Sequence, residues 1–382
     1  MRPCVALAKE AEKRGHSVQM IVPQNGLALC QEQGISANGL TINYNQITAE
    51  AGNRKKGDQI SLIEKMTEIQ FQEMKSLLKK SDILIGASVQ IAGIHLAEFY
   101  QIPYYHIYYT SRFLESGSYP PFRFSVKSKG RIRNWLLWKL YKNYSNKITR
   151  NSINKYRKEL GLSTVATPTE LYRDNMLIAT DAELDPVAPD IKVNFKQTGY
   201  WYLEEENQTV IDYSQVRDRQ KIIYIGFGSM PDYTREQTRT VIEKLAEKLG
   251  LVFVVSQQLL GPKEEVKNVI SIAYTPHLKL FPLVDLVIHH GGAGTTHTAA
   301  YCGKPQVIIP QIADQYYWAE RVKELGVGPD FIEKDNLRID TLGDRIGQVM
   351  ANQSFHQKAQ ALGIRLQQKK DRLAGVLDQL GL

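Results

Sequence analysis

Hydrophobic and polar positions follow two alternating periods along most of the chain. Short apolar runs rich in β-branched and aromatic residues predict buried strands, and longer segments with apolar residues three or four positions apart predict helices between them. Strands that alternate with helices favour the α/β class with parallel sheets. The predicted strands are 17–22, 83–86, 104–109, 175–179, 221–225, 251–256, 269–273, 284–288 and 306–310. The main predicted helices are 3–14, 58–80, 91–100, 234–249, 295–302, 316–325 and a C-terminal group from 341.

The alternation divides into two series, which predicts two doubly wound domains. We assign residues 1–203 to the first domain and 220–365 to the second, and residues 366–382 to a C-terminal helix. The segment 204–219 begins with three glutamates and has no clear period, so it is the predicted linker.

The most informative segment follows the strand 284–288 and consists of His289-His290-Gly291-Gly292-Ala293-Gly294-Thr295. Glycines let the backbone turn tightly and approach a ligand, and the helix start that follows presents free N–H groups and the positive end of a dipole. The two histidines add side-chain donors. A diphosphate suits such a turn, although a purely structural tight turn is the alternative.

A second element strengthens the binding interpretation. The strand 306–310 ends in a loop that carries Asp314 and Gln315. Neighbouring parallel strands share one crevice at their C-terminal ends, so these side chains are expected to face whatever the glycine turn holds, and they suit sugar hydroxyls. Asp314 also fits the simpler role of helix N-cap.

These motifs, with Gly226-Phe227-Gly228-Ser229-Met230-Pro231 before them, resemble the GT-B glycosyltransferases of family 1. The resemblance extends over nearly the whole chain and is closest to the bacterial branch that contains sterol glucosyltransferases and enzymes acting on glycopeptide and macrolide aglycones. It implies two facing Rossmann-like domains with a cleft between them, the donor in the second domain and the acceptor in the first.

The resemblance also implies roles for individual residues. Ser229 and the turn from His289 to Thr295 would hold the donor diphosphate, with His289 as the phosphate-contacting histidine, and Asp314 and Gln315 would bind the donor sugar. The plant branch stacks a tryptophan on uracil where this chain has 273–277, so UDP and dTDP both remain open as donors. The predicted donor-binding residues are Gly228, Ser229, Pro276, His277, His289, Gly291, Gly292, Ala293, Gly294, Thr295, Asp314 and Gln315.

The N-terminus departs from the family pattern. Family members place a strand and a glycine turn, ending in an aspartate proposed as the catalytic base, before the residues that match Arg2-Pro3, whereas this chain opens directly in the first helix. We therefore expect the first strand to be missing. Either the sequence is a truncated reading or the product is impaired in chemistry. No residue inherits the role of base, and His106 and Glu115 are the weak substitutes in the aromatic segment 104–121.

Composition narrows the remaining choices. The 382 residues are 43% hydrophobic and 23% charged, as in ordinary globular proteins, and no apolar run approaches the roughly 18–20 residues that span a bilayer. Three widely separated cysteines and the absence of a secretory signal predict a cytoplasmic protein with reduced thiols. No metal site is expected, because His289 and His290 are adjacent and His297 lies on the following helix. We therefore expect neither a metal nor another cofactor.

Positive charge is concentrated in 123–158, which carries 12 Lys or Arg residues. Between Glu115 and Glu159 there is no acidic residue, and tryptophans and tyrosines recur among the cations with a roughly helical period. This pattern fits peripheral contact with the anionic inner face of a membrane. It fits equally a helix that packs its apolar side on the domain and leaves a basic side in water. No nucleic-acid-binding motif is present.

Three functions stay open on the sequence. The first is an inverting transferase that moves a hexose from a UDP- or dTDP-sugar to a hydroxyl of a lipid-like or natural-product acceptor. The second is a nucleotide-sugar binding or auxiliary protein without catalytic power. The third is another enzyme on the same architecture, such as an epimerase, which needs acidic groups in the cleft that the sequence does not show.

Overall fold

The computed structural model describes residues 1–42, 56–122, 124, 126–205, 220–228, 235–260, 266–273, 275–369 and 371–382. The chain forms two compact units. The N-terminal unit comprises Met1–Ala182, Pro186–Leu203 and Asp371–Leu382, and the C-terminal unit comprises Glu183–Asp185 and Glu204–Lys370. This division differs from the linear one predicted above, because residues 183–185 belong with the second unit and the last residues belong with the first.

Helices and strands alternate through the N-terminal unit, as the sequence predicts. In chain order they are α1 Arg2–Lys13, β1 Met20–Pro23, α2 Leu27–Glu32, β2 Ala37–Leu40, α3 Lys56–Leu77, β3 Leu84–Ala87, α4 Gly93–Tyr100, β4 Tyr104–Tyr108, α5 Arg131–Glu159, β5 Met176–Ile178 and β6 Phe195–Gln197.

The strands of this unit form two parallel sheets within the described residues. β1 pairs with β2, and the second sheet has the order β3-β4-β5-β6. The chain opens in α1, whose face with Val5, Leu7 and Ala8 is buried in a core shared with Ile107 and Leu177.

The C-terminal unit continues the alternation around a longer sheet. Its elements are β7 Ile222–Gly226, α6 Arg235–Leu249, β8 Val252–Ser256, α7 Gln257–Leu260, β9 Val269–Ile272, α8 His277–Leu280, β10 Leu286–His289, α9 Ala293–Tyr301, β11 Gln306–Ile308, α10 Gln315–Glu324, α11 Ile339–Ala351 and α12 Gln353–Gln367.

The sheet of this unit is parallel, with the order β11-β10-β7-β8-β9 in the described part of the chain. Every residue of β7 and β10 is buried, which explains their continuous β-branched runs, since parallel strands are covered on both faces. Strand order reverses between β7 and β10. Open α/β sheets bind ligands at such a switch point, beyond the C-terminal ends of the strands.

The C-terminal helix predicted over 366–382 is shorter in the structure. α12 ends at Gln367, and a separate helix α13, Arg372–Leu380, packs on the N-terminal unit. Arg372 Nη2 lies 3.0 Å from the fully buried Asp181 Oδ1, and Arg14 Nη1 donates to Asp378 Oδ1 at 2.6 Å. These ion pairs tie α13 to residues far away in sequence, which no local pattern reveals.

Candidate donor site

The predicted glycine turn lies at the switch point of the C-terminal unit. In the sheet register His289 is level with Gly226 at the end of β7 and with Ile308 at the end of β11. The loops that follow these three strands therefore start side by side at one edge of the sheet. The structure brings together the two motifs that the sequence analysis placed around one ligand.

Two glycines of this edge are required by their geometry. Gly291 has φ +86°, and a Cβ there would meet Ile308 Cγ2 at 2.8 Å and the Gln315 carbonyl oxygen at 2.9 Å. Gly228 has φ +59° and lies against the His290 ring, 3.1 Å from where its Cβ would be. The turn after β10 thus packs directly on the start of α10. Ser229 lies outside the described residues.

The start of α9 presents backbone donors at the same edge. Gly292 is its N-cap, and no side chain caps the helix and no acidic residue occupies its first turn. The first amide hydrogens of a helix lack acceptors within it, so those of Ala293, Gly294 and Thr295 point beyond the helix end. Amides in this arrangement, together with the helix dipole, attract anions.

His289 is fully buried and uses both ring nitrogens within the protein. Its Nδ1 accepts from the Gly291 N–H at 3.0 Å, so its Nε2 carries the hydrogen and donates to Gln306 Oε1 at 2.8 Å. Burial lowers the pKa of His289 to about 3, which keeps the ring neutral. The histidine that the resemblance assigns to phosphate contact therefore holds the turn in this structure.

Of the two adjacent histidines, His290 is the one whose ring can still form a hydrogen bond to a ligand. Its buried Nδ1 has no hydrogen-bond partner among the described residues, and its ring lies between Gly228 and Gly292. Burial lowers its pKa to about 4, so the ring is neutral and can donate from one nitrogen. An unpaired buried polar atom is costly, and a ligand oxygen in the turn would satisfy it.

Asp314 and Gln315 follow the strand next to the turn, and they differ in whether their side chains are free to bind a ligand. Asp314 occupies the N-cap position of α10 without capping it, and its Oδ2 accepts from Trp318 Nε1 at 3.2 Å. Burial raises the pKa of Asp314. Gln315 is buried, and its Oε1 accepts from the Gln311 and Ile312 N–H groups at 2.7 and 3.1 Å. The carboxylate can reach a ligand, whereas the amide oxygen shapes the loop.

Pro276 and His277 mark the start of α8 in the same unit. Pro276 is the N-cap residue, and the His277 ring stacks on Phe281 with centroids 4.5 Å apart. His277 Nε2 also lies 3.3 Å from Tyr224 Oη. These contacts give both residues packing roles, and their predicted part in donor binding stays a prediction.

The two weak candidates for a catalytic base belong to the N-terminal unit, and both have hydrogen-bond or ion-pair partners within the protein. His106 is 3% exposed; its Nε2 donates to the Ser88 carbonyl at 3.1 Å and its Nδ1 accepts from Tyr104 Oη at 2.7 Å. Burial lowers its pKa to about 4. Glu115 forms an ion pair with Lys142 at 2.7 Å.

Within the described ranges, no group of three or more His, Cys, Asp or Glu side chains is arranged to hold a metal ion. Cys4, Cys30 and Cys302 are free thiols. No helix in the described parts of the chain is both long and apolar enough to cross a bilayer.

Sequence reasoning missed two supporting residues of the site. Gln306 fixes His289, and its own Nε2 donates to the Thr296 carbonyl at 3.3 Å. Trp318 contacts both Asp314 and the His297 ring, whose centroid is 4.9 Å away. The only signal was the position of Gln306 at the start of a predicted strand, where an apolar residue is the usual choice.

The strand order and the turn at the switch point are those of a doubly wound α/β domain. Residues 251–368 match the family described as Erythromycin biosynthesis protein CIII-like, C-terminal domain. The chain is 29% identical to a sterol 3-beta-glucosyltransferase of Vanderwaltozyma polyspora and 28% identical to one of Saccharomyces cerevisiae, over 96% and 94% of this chain. It spans about a third of the length of these curated relatives, 32% in both cases.

Solved structures show the same fold over the whole chain. A glycosyltransferase of kitacinnamycin aligns with a TM-score of 0.72 and 17% identity over 98% of this chain and 93% of its own. A spinosyn rhamnosyltransferase aligns with a TM-score of 0.71 and 16% identity over 100% and 96%. The chain therefore has the GT-B fold of these glycosyltransferase structures.

Proposed function

We propose that the protein transfers a hexose from a UDP- or dTDP-linked donor to a hydroxyl of a sterol-like or natural-product acceptor, with inversion at the anomeric carbon. One observation carries the proposal: the free amides of α9 and the unpaired Nδ1 of His290 lie at one turn at the switch point, and Gly291 of that turn packs on Gln315, the neighbour of Asp314. This combination suits a diphosphate joined to a polyhydroxylated sugar.

The names of relatives support both the donor class and the acceptor class of this reaction. The curated relatives are sterol 3-beta-glucosyltransferases. The spinosyn rhamnosyltransferase has been solved both with thymidine diphosphate and with the spinosyn aglycone. A nucleotide diphosphate donor and a hydrophobic hydroxylated acceptor are therefore the substrate classes that we propose for this chain.

The described residues have separate roles in the proposed transfer. Negative charge grows on the departing diphosphate, and the amides of α9 with His290 stabilise it without reorganising. Asp314 accepts hydrogen bonds from sugar hydroxyls and holds the anomeric carbon in place while the acceptor oxygen bonds to that carbon and the carbon–diphosphate bond breaks. The proton of the acceptor hydroxyl passes to water or to the released diphosphate. We propose that no metal takes part, so EDTA should leave transfer unchanged.

A binding protein without transferase activity is the second candidate. His106 and Glu115, the weak substitutes for a base, each have structural partners that occupy them. Under this alternative the chain binds the nucleotide sugar and releases it unchanged.

Thr295 allows a sharp test of the site. Its side chain is half-buried in the first turn of α9, where Glu stabilises a helix but repels a diphosphate. We expect Thr295→Glu to weaken UDP or dTDP binding about tenfold or more in calorimetry without lowering Tm, and Thr295→Gln to bind nearly as the wild type. Equal binding by the Glu variant would place the diphosphate elsewhere.

Incubation with UDP-glucose or dTDP-glucose and a sterol then separates the two candidates. A glycoside with the inverted anomeric configuration by NMR supports the transferase. Binding that survives Thr295→Gln, is lost in Thr295→Glu and yields no glycoside supports the binding protein.

A further inference from the structure

An exposed apolar row runs along helix α5 of the N-terminal unit. Ile132, Leu136 and Leu140 are 78%, 57% and 59% exposed. Residues four apart lie on one face of a helix, so the three side chains form a continuous strip, called here the aliphatic row. Scattered surface leucines are normal, but three in register on one helix are not explained by the core of this unit.

The opposite side of α5 is what attaches the helix to the protein. Trp138 is buried and its Nε1 donates to the Tyr119 carbonyl at 2.9 Å, and the buried Asn134 Nδ2 donates to the Gly117 carbonyl at 2.8 Å. Trp138, one of the aromatic residues that suggested membrane contact in the sequence, therefore faces inward. The aliphatic row is additional apolar surface on the outer side.

Positive charge borders the aliphatic row. Lys129, Arg133 and Lys139 are all exposed, and the sequence has no acid between Glu115 and Glu159. Lys142 and Arg157 are engaged by Glu115 and Glu98, so those two cations belong to the fold and not to this border.

We propose that the aliphatic row and its bordering cations dock on an anionic lipid bilayer, with α5 parallel to the surface. Aliphatic side chains then enter the boundary between headgroups and acyl chains while Lys and Arg contact lipid phosphates. A second copy of the chain is a poorer occupant, because two such faces bring like charges together. The row is also small beside the roughly 800 Å² that each partner contributes to a stable interface.

Vesicle co-sedimentation of the full chain tests the proposal. The vesicles contain phosphatidylcholine alone or an equal mixture with phosphatidylglycerol, and no nucleotide sugar is present, so the result is independent of the proposed transfer. We expect binding to the anionic vesicles that weakens as salt is raised. Replacing the whole aliphatic row by serine should reduce the partition coefficient about tenfold or more.

Matched controls come from elsewhere on the surface. Ile364→Ser removes an aliphatic side chain that is 59% exposed in the C-terminal unit and should leave binding unchanged. Replacing Lys129, Arg133 and Lys139 by Gln should weaken binding about tenfold or more, and replacing the exposed Lys79, Lys244 and Lys248 by Gln should not.

Three results would overturn the proposal. The first is no sedimentation with anionic vesicles at low salt. The second is binding that the serine variant retains in full. The third is self-association of the wild type in analytical ultracentrifugation that the serine variant loses, without vesicle binding, which would make a second copy the occupant.

Discussion

The two adjacent histidines of the glycine turn should separate stability from ligand binding. His289→Ala leaves the Gly291 N–H and the Gln306 side-chain carbonyl buried without partners. Each unsatisfied group costs about 1–3 kcal/mol, so the free energy of unfolding of the C-terminal unit should fall by about 2–6 kcal/mol. For a unit of this size that corresponds to roughly 5–20 °C in Tm. His289→Asn keeps an acceptor for Gly291 and should lose less.

His290→Ala should behave in the opposite way. Its Nδ1 has no partner among the described residues, so its removal strands no hydrogen-bonding group of the protein, and Tm should fall less than in His289→Ala because only the packing of the ring is lost. A hydrogen bond to a charged ligand oxygen contributes about 1.5–3 kcal/mol, so the Kd for UDP or dTDP should rise about 10- to 100-fold.

Differential scanning fluorimetry and calorimetry on the same preparations measure both effects. Nucleotide binding by the His290 variant as tight as that of the wild type would contradict a ligand contact at His290. Loss of binding in His289→Ala with an unchanged Tm and unfolding transition would show that His289 contacts the ligand directly.

Three further predictions concern charge. Burial raises the pKa of the Asp314 carboxyl, so ionisation of this group opposes folding at neutral pH. Asp314→Asn should therefore raise Tm at pH 7, and this gain should vanish below the ordinary pKa of 3.8. The same variant should weaken binding of UDP-glucose more than binding of UDP in calorimetry. Asp181→Asn strands the buried Arg372 charge and should cost about 3–5 kcal/mol in urea unfolding of the N-terminal unit, whereas Asp181→Leu with Arg372→Met should recover most of it. Each buried neutral histidine should lower the free energy of unfolding by about 1.4 kcal/mol per pH unit below pH 6.5, because the unfolded chain binds a proton there that the folded chain does not. A free energy of unfolding that stays constant between pH 7 and 5 would contradict this prediction. The histidines with lowered pKa values are His95, His106, His289 and His290.

The sequence was most informative where burial is reflected in local composition. β7 and β10 are covered on both faces, and their β-branched runs made them visible. β2 and β6 were missed because they are short and carry few β-branched residues, and they exist through pairing with β1 and β5. Tertiary pairing of this kind leaves little trace in local propensity.

At the candidate site, the sequence predicted the glycine turn but not the different roles of His289 and His290 within it. Nothing local distinguishes His289 from His290. The difference comes from Gln306, which lies on the neighbouring strand and engages one ring but not the other. The same limit applies to α5, whose helical pattern was evident while the inward direction of Trp138 depended on Tyr119.

Three unfavourable features meet at the switch point of the C-terminal unit. The Nδ1 of His290 is buried without a partner among the described residues, the Asp314 carboxyl has its pKa raised by burial, and Ala313 has φ +53°, a conformation that costs a residue with a side chain about 1–3 kcal/mol. A tight turn with a purely structural role gains nothing from any of them. A ligand with acceptor oxygens and hydroxyl groups would satisfy the first two, and the strained Ala313 immediately precedes Asp314. Their coincidence at the edge where α/β sheets bind nucleotides is therefore the strongest structural argument that this turn is a binding site.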